Sequence, residues 1–210
     1  MKISKELAEI LGFLCAEGCY VNSISSYWEF DKRMGRKRFR KNKKQRRIEF
    51  GNKNKTLLKQ FQLLLQLQYN YSPTIGKDRI CICKKKIIDD ILTHTNIGHL
   101  RWSVPEAVAK GNRDIKTKFI RGYFEGDGTI INRIRFFSTN IHGLLQVSQL
   151  LKELNLRNKV NGPVLKEGRK PSYEIYVYES EKETFLKEIN PLTKRPAPMR
   201  GFMRTSVFTL

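Results

Sequence analysis

The chain is poor in acid, cysteine and histidine, and it has no long apolar run. With no apolar stretch long enough to cross a bilayer, a membrane-spanning helix is excluded on sequence. The four cysteines, Cys15, Cys19, Cys81 and Cys83, stand in CxxxC and CxC spacings, which are not those of common zinc sites. Three scattered histidines, His94, His99 and His142, give no support to a histidine-metal nuclease or to a cysteine–histidine nucleophile. Acid is the scarcest charge, with 20 Asp and Glu against 41 Lys and Arg, a net charge of +21 and an isoelectric point near 10.0. A field of that sign and size calls for a polyanionic partner, although a basic ribosomal or membrane-surface protein would share it. The start of the chain imitates a secretory signal, but Glu6, Glu9 and Glu17 interrupt it, so an intracellular location is expected, in cytoplasm, nucleoid or an organelle.

What the chain does have is a nine-residue pattern that occurs twice, 110 positions apart: Ile10-Leu-Gly-Phe-Leu-Cys-Ala-Glu17-Gly18 and Ile120-Arg-Gly-Tyr-Phe-Glu-Gly-Asp127-Gly128. Gly is third, an aromatic fourth, a bulky apolar residue fifth, a small residue seventh, and an acid and Gly close each copy. Such a repeat divides the chain into two related halves. If helical, each copy stacks two small residues on one face, Gly12 over Ala16 and Gly122 over Gly126. An interior Gly costs roughly 1 kcal/mol relative to Ala, a cost explained if the two helices touch backbone to backbone with Leu11, Leu14, Tyr123 and Phe124 on the flanks. Gly18 and Gly128 then read as C-terminal helix stops. Glu17 and Asp127 fall in the last turn, where the helix dipole disfavours a carboxylate. Two acids brought together at the same end of the contact point to a divalent cation.

The paired motifs resemble those of the LAGLIDADG homing endonucleases in their single-chain form, over residues from about Lys5 to about Ile189. The resemblance implies an α+β fold: two pseudo-symmetric αββαββα halves packed through the motif helices, with antiparallel sheets forming a DNA-binding saddle. It makes the eighth motif position the metal-binding acid, here Glu17 and Asp127, with main-chain carbonyls of Ala16 and Gly126 completing the shell around Mg²⁺, which Mn²⁺ can replace. It also implies a monomer that binds double-stranded DNA at a long site and cuts both strands across the minor groove, leaving 3′ overhangs. The sixth position is often acidic in the family and is Cys15 in one copy and Glu125 in the other, which leaves the metal assignment untouched. Basic or amide groups at the strand-to-helix corner often assist in the family, and the matching residues are Asn52 and Lys53 in one half and Thr139 and Asn140 in the other. Lys53 has no counterpart, so the two strands are expected to be cut at different rates.

Periodicity divides the chain into residues 1–93, a connection over 94–116, a second half over 117–189 and a basic tail over 190–210 that includes Lys194, Arg195, Arg200 and Arg204. Matching Leu57-Leu58 to Leu144-Leu145 gives an offset of 87 against 110 for the motifs, so the first half is longer by 23 residues. The excess falls between Tyr20 and Arg47, where Lys32, Arg33, Arg36, Lys37, Arg38, Arg40, Lys41, Lys43, Lys44 and Arg46 crowd together. That run reads either as a solvated loop or, preferred here, as a hairpin extension that grips phosphates. In the flanking strands, alternation turns Ile48, Phe50, Ile80, Ile82, Ile134, Phe136, Ile175 and Val177 inward. It leaves Arg47, Glu49, Arg79, Cys81, Cys83, Arg133, Arg135, Glu174, Tyr176 and Tyr178 outward, and Arg47, Glu49, Arg79, Arg133, Arg135, Tyr176 and Tyr178 are the expected DNA contacts.

Three functions fit this sequence: a site-specific endonuclease, an RNA maturase on the same scaffold, or a DNA-binding regulator without catalysis. Both acids are intact, as the first requires.

Overall fold

A computed structural model describes residues 3–193 except 99 and 132. His99 and the tail positions Lys194, Arg195, Arg200 and Arg204 lie outside the described residues. No helix among the described residues is long and apolar enough to cross a membrane.

The first half begins with α1 (Lys5–Glu17), whose N-terminus is fixed by Ser4: its hydroxyl accepts the Leu7 N–H at 3.0 Å. The chain passes directly into β1 (Gly18–Asp31), returns as β2 (Arg36–Gly51), and continues through α2 (Lys55–Tyr69), β3 (Arg79–Ile82) and α3 (Lys85–His94). A short α4 (Glu106–Ala109) precedes the second motif helix α5 (Arg113–Asp127), followed by β4 (Gly128–Ile130), β5 (Ile134–Ser138), α6 (Ile141–Glu153), β6 (Asn158–Val164), β7 (Ser172–Val177) and α7 (Lys182–Ile189). Both sheets are antiparallel, in the orders β1-β2-β3 and β4-β5-β7-β6. The fourth strand of the first half is reduced to a single bridge between Ile75 and Ile80.

The start of the second half differs from the sequence reading. α5 starts at Arg113 rather than Thr117, because Asn112 caps it by accepting the Ile115 N–H at 3.1 Å and Asp114 suits the positive end of the helix dipole. The connection before it is packed against the core: Ile97, Trp102, Val104 and Val108 are all buried.

The halves meet through α1 and α5. A Cβ on Gly12 would collide with the Phe119 carbonyl and lie 2.8 Å from the Tyr123 nitrogen; one on Gly122 would collide with the Glu9 carbonyl and lie 2.9 Å from the Phe13 nitrogen. Both obstacles are backbone, so these glycines are required by helix approach, as the repeat predicts. Leu11, Leu14, Tyr123 and Phe124 are fully buried on the flanks. Each sheet then covers its own aromatic cluster, Phe13, Phe50 and Phe61 on one side and Phe124, Phe136 and Phe185 on the other, with ring centroids 4.4–5.9 Å apart.

Gly18 and Gly128 do end the helices, but not as left-handed caps. Their φ angles are −81° and −101°, in the extended region, and each helix runs straight into a strand. Space explains the glycine: a Cβ would strike the Leu14 backbone at Gly18 and the Phe124 ring at Gly128.

Candidate nucleic-acid interface and carboxylate site

The motif helices run side by side and leave their C-terminal ends together. Ala16, the residue before Glu17, lines a cavity of about 290 Å³ together with Asp127, Ser138 and Thr139. At the same end, a Cβ on Gly126 would meet the Ala16 methyl and lie 3.0 Å from Glu17 Cγ. The glycine before one acid thus makes room for the stem of the other. Glu17 is exposed and Asp127 half-buried. Carboxylates and helix-end carbonyls are hard oxygen donors of the kind Mg²⁺, Mn²⁺ and Ca²⁺ take. The chemistry of the donor set therefore fits a divalent cation held by Glu17, Asp127 and the carbonyls of Ala16 and Gly126. Among the described residues no group of three or more His, Cys, Asp or Glu side chains could hold a metal.

The sixth motif positions anchor the chain as it leaves each half. Glu125 is buried, and its carboxylate accepts the Leu192 N–H at 2.5 Å, the Thr193 N–H at 3.3 Å and the Thr193 hydroxyl at 2.5 Å. Cys15 is buried beside the segment that follows α3, donating to the Ser103 carbonyl at 3.9 Å, and burial pushes its thiol up to about 12.

The corner residues separate. Register pairs Gly18 with Phe50 and Gly128 with Phe136, and Asn54 and Asn140 cap α2 and α6. The halves therefore correspond at an offset of 86 beyond the hairpins. This corrects the leucine match by one position: Leu58 corresponds to Leu144, both buried, while Leu145 is 49% exposed. Asn52 then corresponds to Ser138, Lys53 to Thr139, and Asn54 to Asn140. Asn140 is buried, accepting the Gly143 N–H at 3.1 Å and donating to the Trp102 carbonyl at 2.7 Å, so its amide is engaged in the fold. Asn52 accepts the Asn54 N–H at 2.8 Å and orders the same corner in the first half, with Lys53 exposed beside it. Thr139 alone of the four lines the Asp127 cavity.

The basic run forms a long two-stranded arm rather than a loop: β1 and β2 pair from Gly18↔Phe50 to Asp31↔Arg36, and Lys32 and Arg33 sit in the turn. Ser25 pairs with Lys43 but Tyr27 with Arg40, so β2 carries a bulge at Lys41 and Asn42, where Asn42 takes φ 49°. The bulge reverses the facing of β2 beyond it. Arg36, Arg38 and Arg40 share a face with Lys43 and Arg47, whereas Lys37, Lys44 and Arg46 point to the opposite side. Arg46 is committed there: its guanidinium pairs with Asp89 at 2.5 Å and donates to the Tyr20 hydroxyl at 3.0 Å.

The outward rows of both sheets match the sequence reading, with Ile48, Phe50, Ile80, Ile82, Ile134, Phe136, Ile175 and Val177 all buried. Glu49 bridges Arg47 and Arg79, its contact to Arg79 being 3.1 Å. On the second sheet Arg135 stands opposite Tyr176, which in turn stands opposite Lys159. Arg133 lies 5.7 Å over the Tyr176 ring, and Tyr176 packs on Tyr178 at 5.2 Å. Lys159 and Gln45, which lies between Lys43 and Arg47 on the same face, were missed by sequence reasoning; strand alternation alone would have found both.

Residues 114–190 match the family described as a LAGLIDADG-like domain. Solved structures of the homing endonuclease I-DmoI are similar to this chain. One set of mesophilic variants matches with a TM-score of 0.64 at 18% identity, covering 88% of this chain and 95% of that one. A complex of I-DmoI with DNA and Ca matches with a TM-score of 0.63 at 20% identity, covering 95% and 96%; other I-DmoI structures hold DNA and Mn, or target DNA in the presence of Mg. Full-length WhiA from Thermatoga maritima matches with a TM-score of 0.54 at 15% identity, covering 91% of this chain and 57% of that one. No curated protein matches by sequence. The chain carries the LAGLIDADG fold in its two-motif, single-chain form.

Proposed function

We propose that this two-motif LAGLIDADG-fold protein, whose residues 114–190 match the LAGLIDADG-like domain family, is a site-specific double-strand DNA endonuclease that works as a monomer on a long recognition site. One observation carries the reading. The two motif acids, Glu17 and Asp127, close the same end of the α1–α5 contact, where the Glu17 stem packs on Gly126 and Ala16 and Asp127 line one cavity. I-DmoI, which shares the fold, is seen with DNA and divalent ions.

Mg²⁺ or Mn²⁺ held by Glu17, Asp127 and the Ala16 and Gly126 carbonyls would supply charge neutralisation at the phosphate and a more acidic water. The rest is the work of side chains. Arg36, Arg38, Lys43 and Arg47 on one sheet and Arg133, Arg135 and Lys159 on the other bind the backbone and fix its register. Arg47, Arg79, Glu49, Tyr176 and Tyr178 present donors, acceptors and ring faces to base edges. Thr139 and Lys53 stand at the two corners, a hydroxyl in one half and an ammonium in the other, to orient water or to stabilise the phosphate. Cleavage across the minor groove leaves 3′ overhangs.

The test is Mg²⁺-dependent cleavage of a randomised duplex library by wild type, Glu17→Gln and Asp127→Asn. Recovery of one long target cut only by wild type is the expected result. Tight duplex binding without cutting in Mg²⁺ or Mn²⁺ would replace this reading with that of a DNA-binding regulator.

A further inference from the structure

The arm has a second face, which the duplex reading leaves unused. β1 keeps its alternation from Tyr20 to Phe30, so Ile24, Trp28 and Phe30 point away from the Arg47 side and stand opposite Lys44, Phe39 and Lys37. This face is apolar and open: Ile24 is 70%, Trp28 66%, Phe30 62% and Phe39 47% exposed. The Trp28 and Phe39 rings meet at 5.2 Å and form one paired platform. Lysines alternate with the apolar groups along the face. At its base the same face closes over α3 to make a cavity of about 620 Å³, lined by Tyr20, Asn22, Lys44, Arg46 and Lys85.

We infer that this face binds single-stranded RNA, with bases stacked on Trp28 and Phe39 and phosphates drawn to Lys37, Lys44 and Lys85. Rings interleaved with cations are the pattern that holds unpaired bases on a charged backbone. The track from Tyr20 to Phe30 is about 33 Å long, enough for several nucleotides. A duplex hides the base faces that the platform needs, so the occupant is single-stranded. The Asn22 amide and the Tyr20 hydroxyl, beside the phosphate-seeking lysines, offer partners for a ribose 2′-hydroxyl, which favours RNA over DNA. A second copy of the chain is disfavoured by the net charge of +21.

The inference does not rest on the nuclease reading, and its test separates the two. Fluorescence anisotropy of an unstructured, labelled RNA oligonucleotide is measured with the full chain, with and without saturating duplex, and compared with single-stranded DNA of the same sequence. Wild type is expected to bind RNA more tightly than DNA and to retain it beside the duplex. The double variant Trp28→Ala/Phe39→Ala, altered only at exposed rings, is expected to lose about 10- to 100-fold in RNA affinity while keeping its far-ultraviolet dichroism and duplex binding. Tryptophan emission gives a second readout, since Trp102 is buried at 3% exposure: RNA should quench wild type and leave Trp28→Ala unquenched. Equal affinity for the two single strands, or unchanged RNA binding by the double variant, overturns the inference. So does capture of phosphatidylserine vesicles in place of RNA, or Trp28-dependent dimerisation in light scattering.

Discussion

Arg121 of α5 grips Glu9 of α1 across the helix pair, with Arg121 Nε 3.0 Å from Glu9 Oε1 and a second contact from its terminal nitrogen to Oε2. The Glu9 side chain is 1% exposed and that of Arg121 12%. Gln60 of α2 adds a longer contact to Glu9 at 3.4 Å. Glu9 lies about 12 Å along α1 from Glu17, so the pair joins the halves near the middle of the helix contact. Removing one partner leaves a buried charge without its counter-ion, at a cost of about 3–5 kcal/mol. Arg121→Met should therefore lose about that much unfolding free energy in urea titration, while Glu9→Leu/Arg121→Met recovers most of it. A double variant as unstable as the single one would show that the contact stabilises by more than relief of an orphan charge.

Cys15 sits where the family often has an acid, and its environment forbids charge. Its thiol is pushed up to about 12 from 9.0, chiefly by burial, with Thr95 pulling the other way. Between those values the folded protein keeps a proton that the unfolded chain has released, so stability falls as pH rises from about 9 towards 12. The alkaline decline in unfolding free energy should be shallower in Cys15→Ala than in wild type. Thiol titration gives a second check: the exposed Cys19 and Cys83 react with a disulfide reagent in the folded protein at pH 8, and Cys15 reacts only on unfolding.

Motif spacing alone was enough to place α1 against α5, because glycines at contact positions have no cheaper explanation. It could not tell why Gly18 and Gly128 end their helices, since a left-handed cap and a crowded extended turn both call for glycine. Alternation identified which residues of β2, β3, β5 and β7 are buried. It was not extended into the arm, where the bulge at Asn42 reverses the facing of β2 beyond it and no residue pattern marks the slip. The leucine match erred by one for a related reason: adjacent leucines in α2 are both buried, whereas in α6 only Leu144 is, so the doublet does not define register. Asn140 looked catalytic from its place at the corner, yet a helix cap selects the same residue type.

The bulge yields a pair of arginines with opposite fates. Arg38 stands on the face of Arg47, opposite Glu29, while Arg46 turns under the arm to Asp89 and Tyr20. A phosphate contact contributes to the salt dependence of duplex binding, with the slope of log affinity against log salt changing by about 0.9 per phosphate. Arg38→Ala should weaken duplex binding uniformly across sequences and reduce that slope by about one contact. Arg46→Ala should leave the slope unchanged and lower the melting temperature slightly, as expected for a half-exposed pair. Anisotropy titrations at three or more salt concentrations decide it, and a slope change in Arg46→Ala as large as that in Arg38→Ala would place both on the duplex.

Lys53 and Thr139 occupy equivalent corners, because Asn54 and Asn140 cap the helices that follow and Phe50 and Phe136 hold equivalent places in the sheets. An ammonium in one half therefore faces a hydroxyl in the other. Either group could donate to the phosphate or the departing oxygen, but a lysine donor is charge-assisted and a hydroxyl is not, so the two corners would contribute unequally. Loss of such a group costs about 100-fold where it acts in the transition state. On an end-labelled duplex, wild type should nick one strand before the other. Lys53→Met should slow the strand served by the first half by about that factor and leave its partner unchanged. Thr139→Lys should narrow the wild-type difference by giving the second corner the same charge. Equal nicking of both strands in wild type, indifferent to Lys53→Met, would remove Lys53 from the reaction and leave Glu17 and Asp127 to account for rate alone.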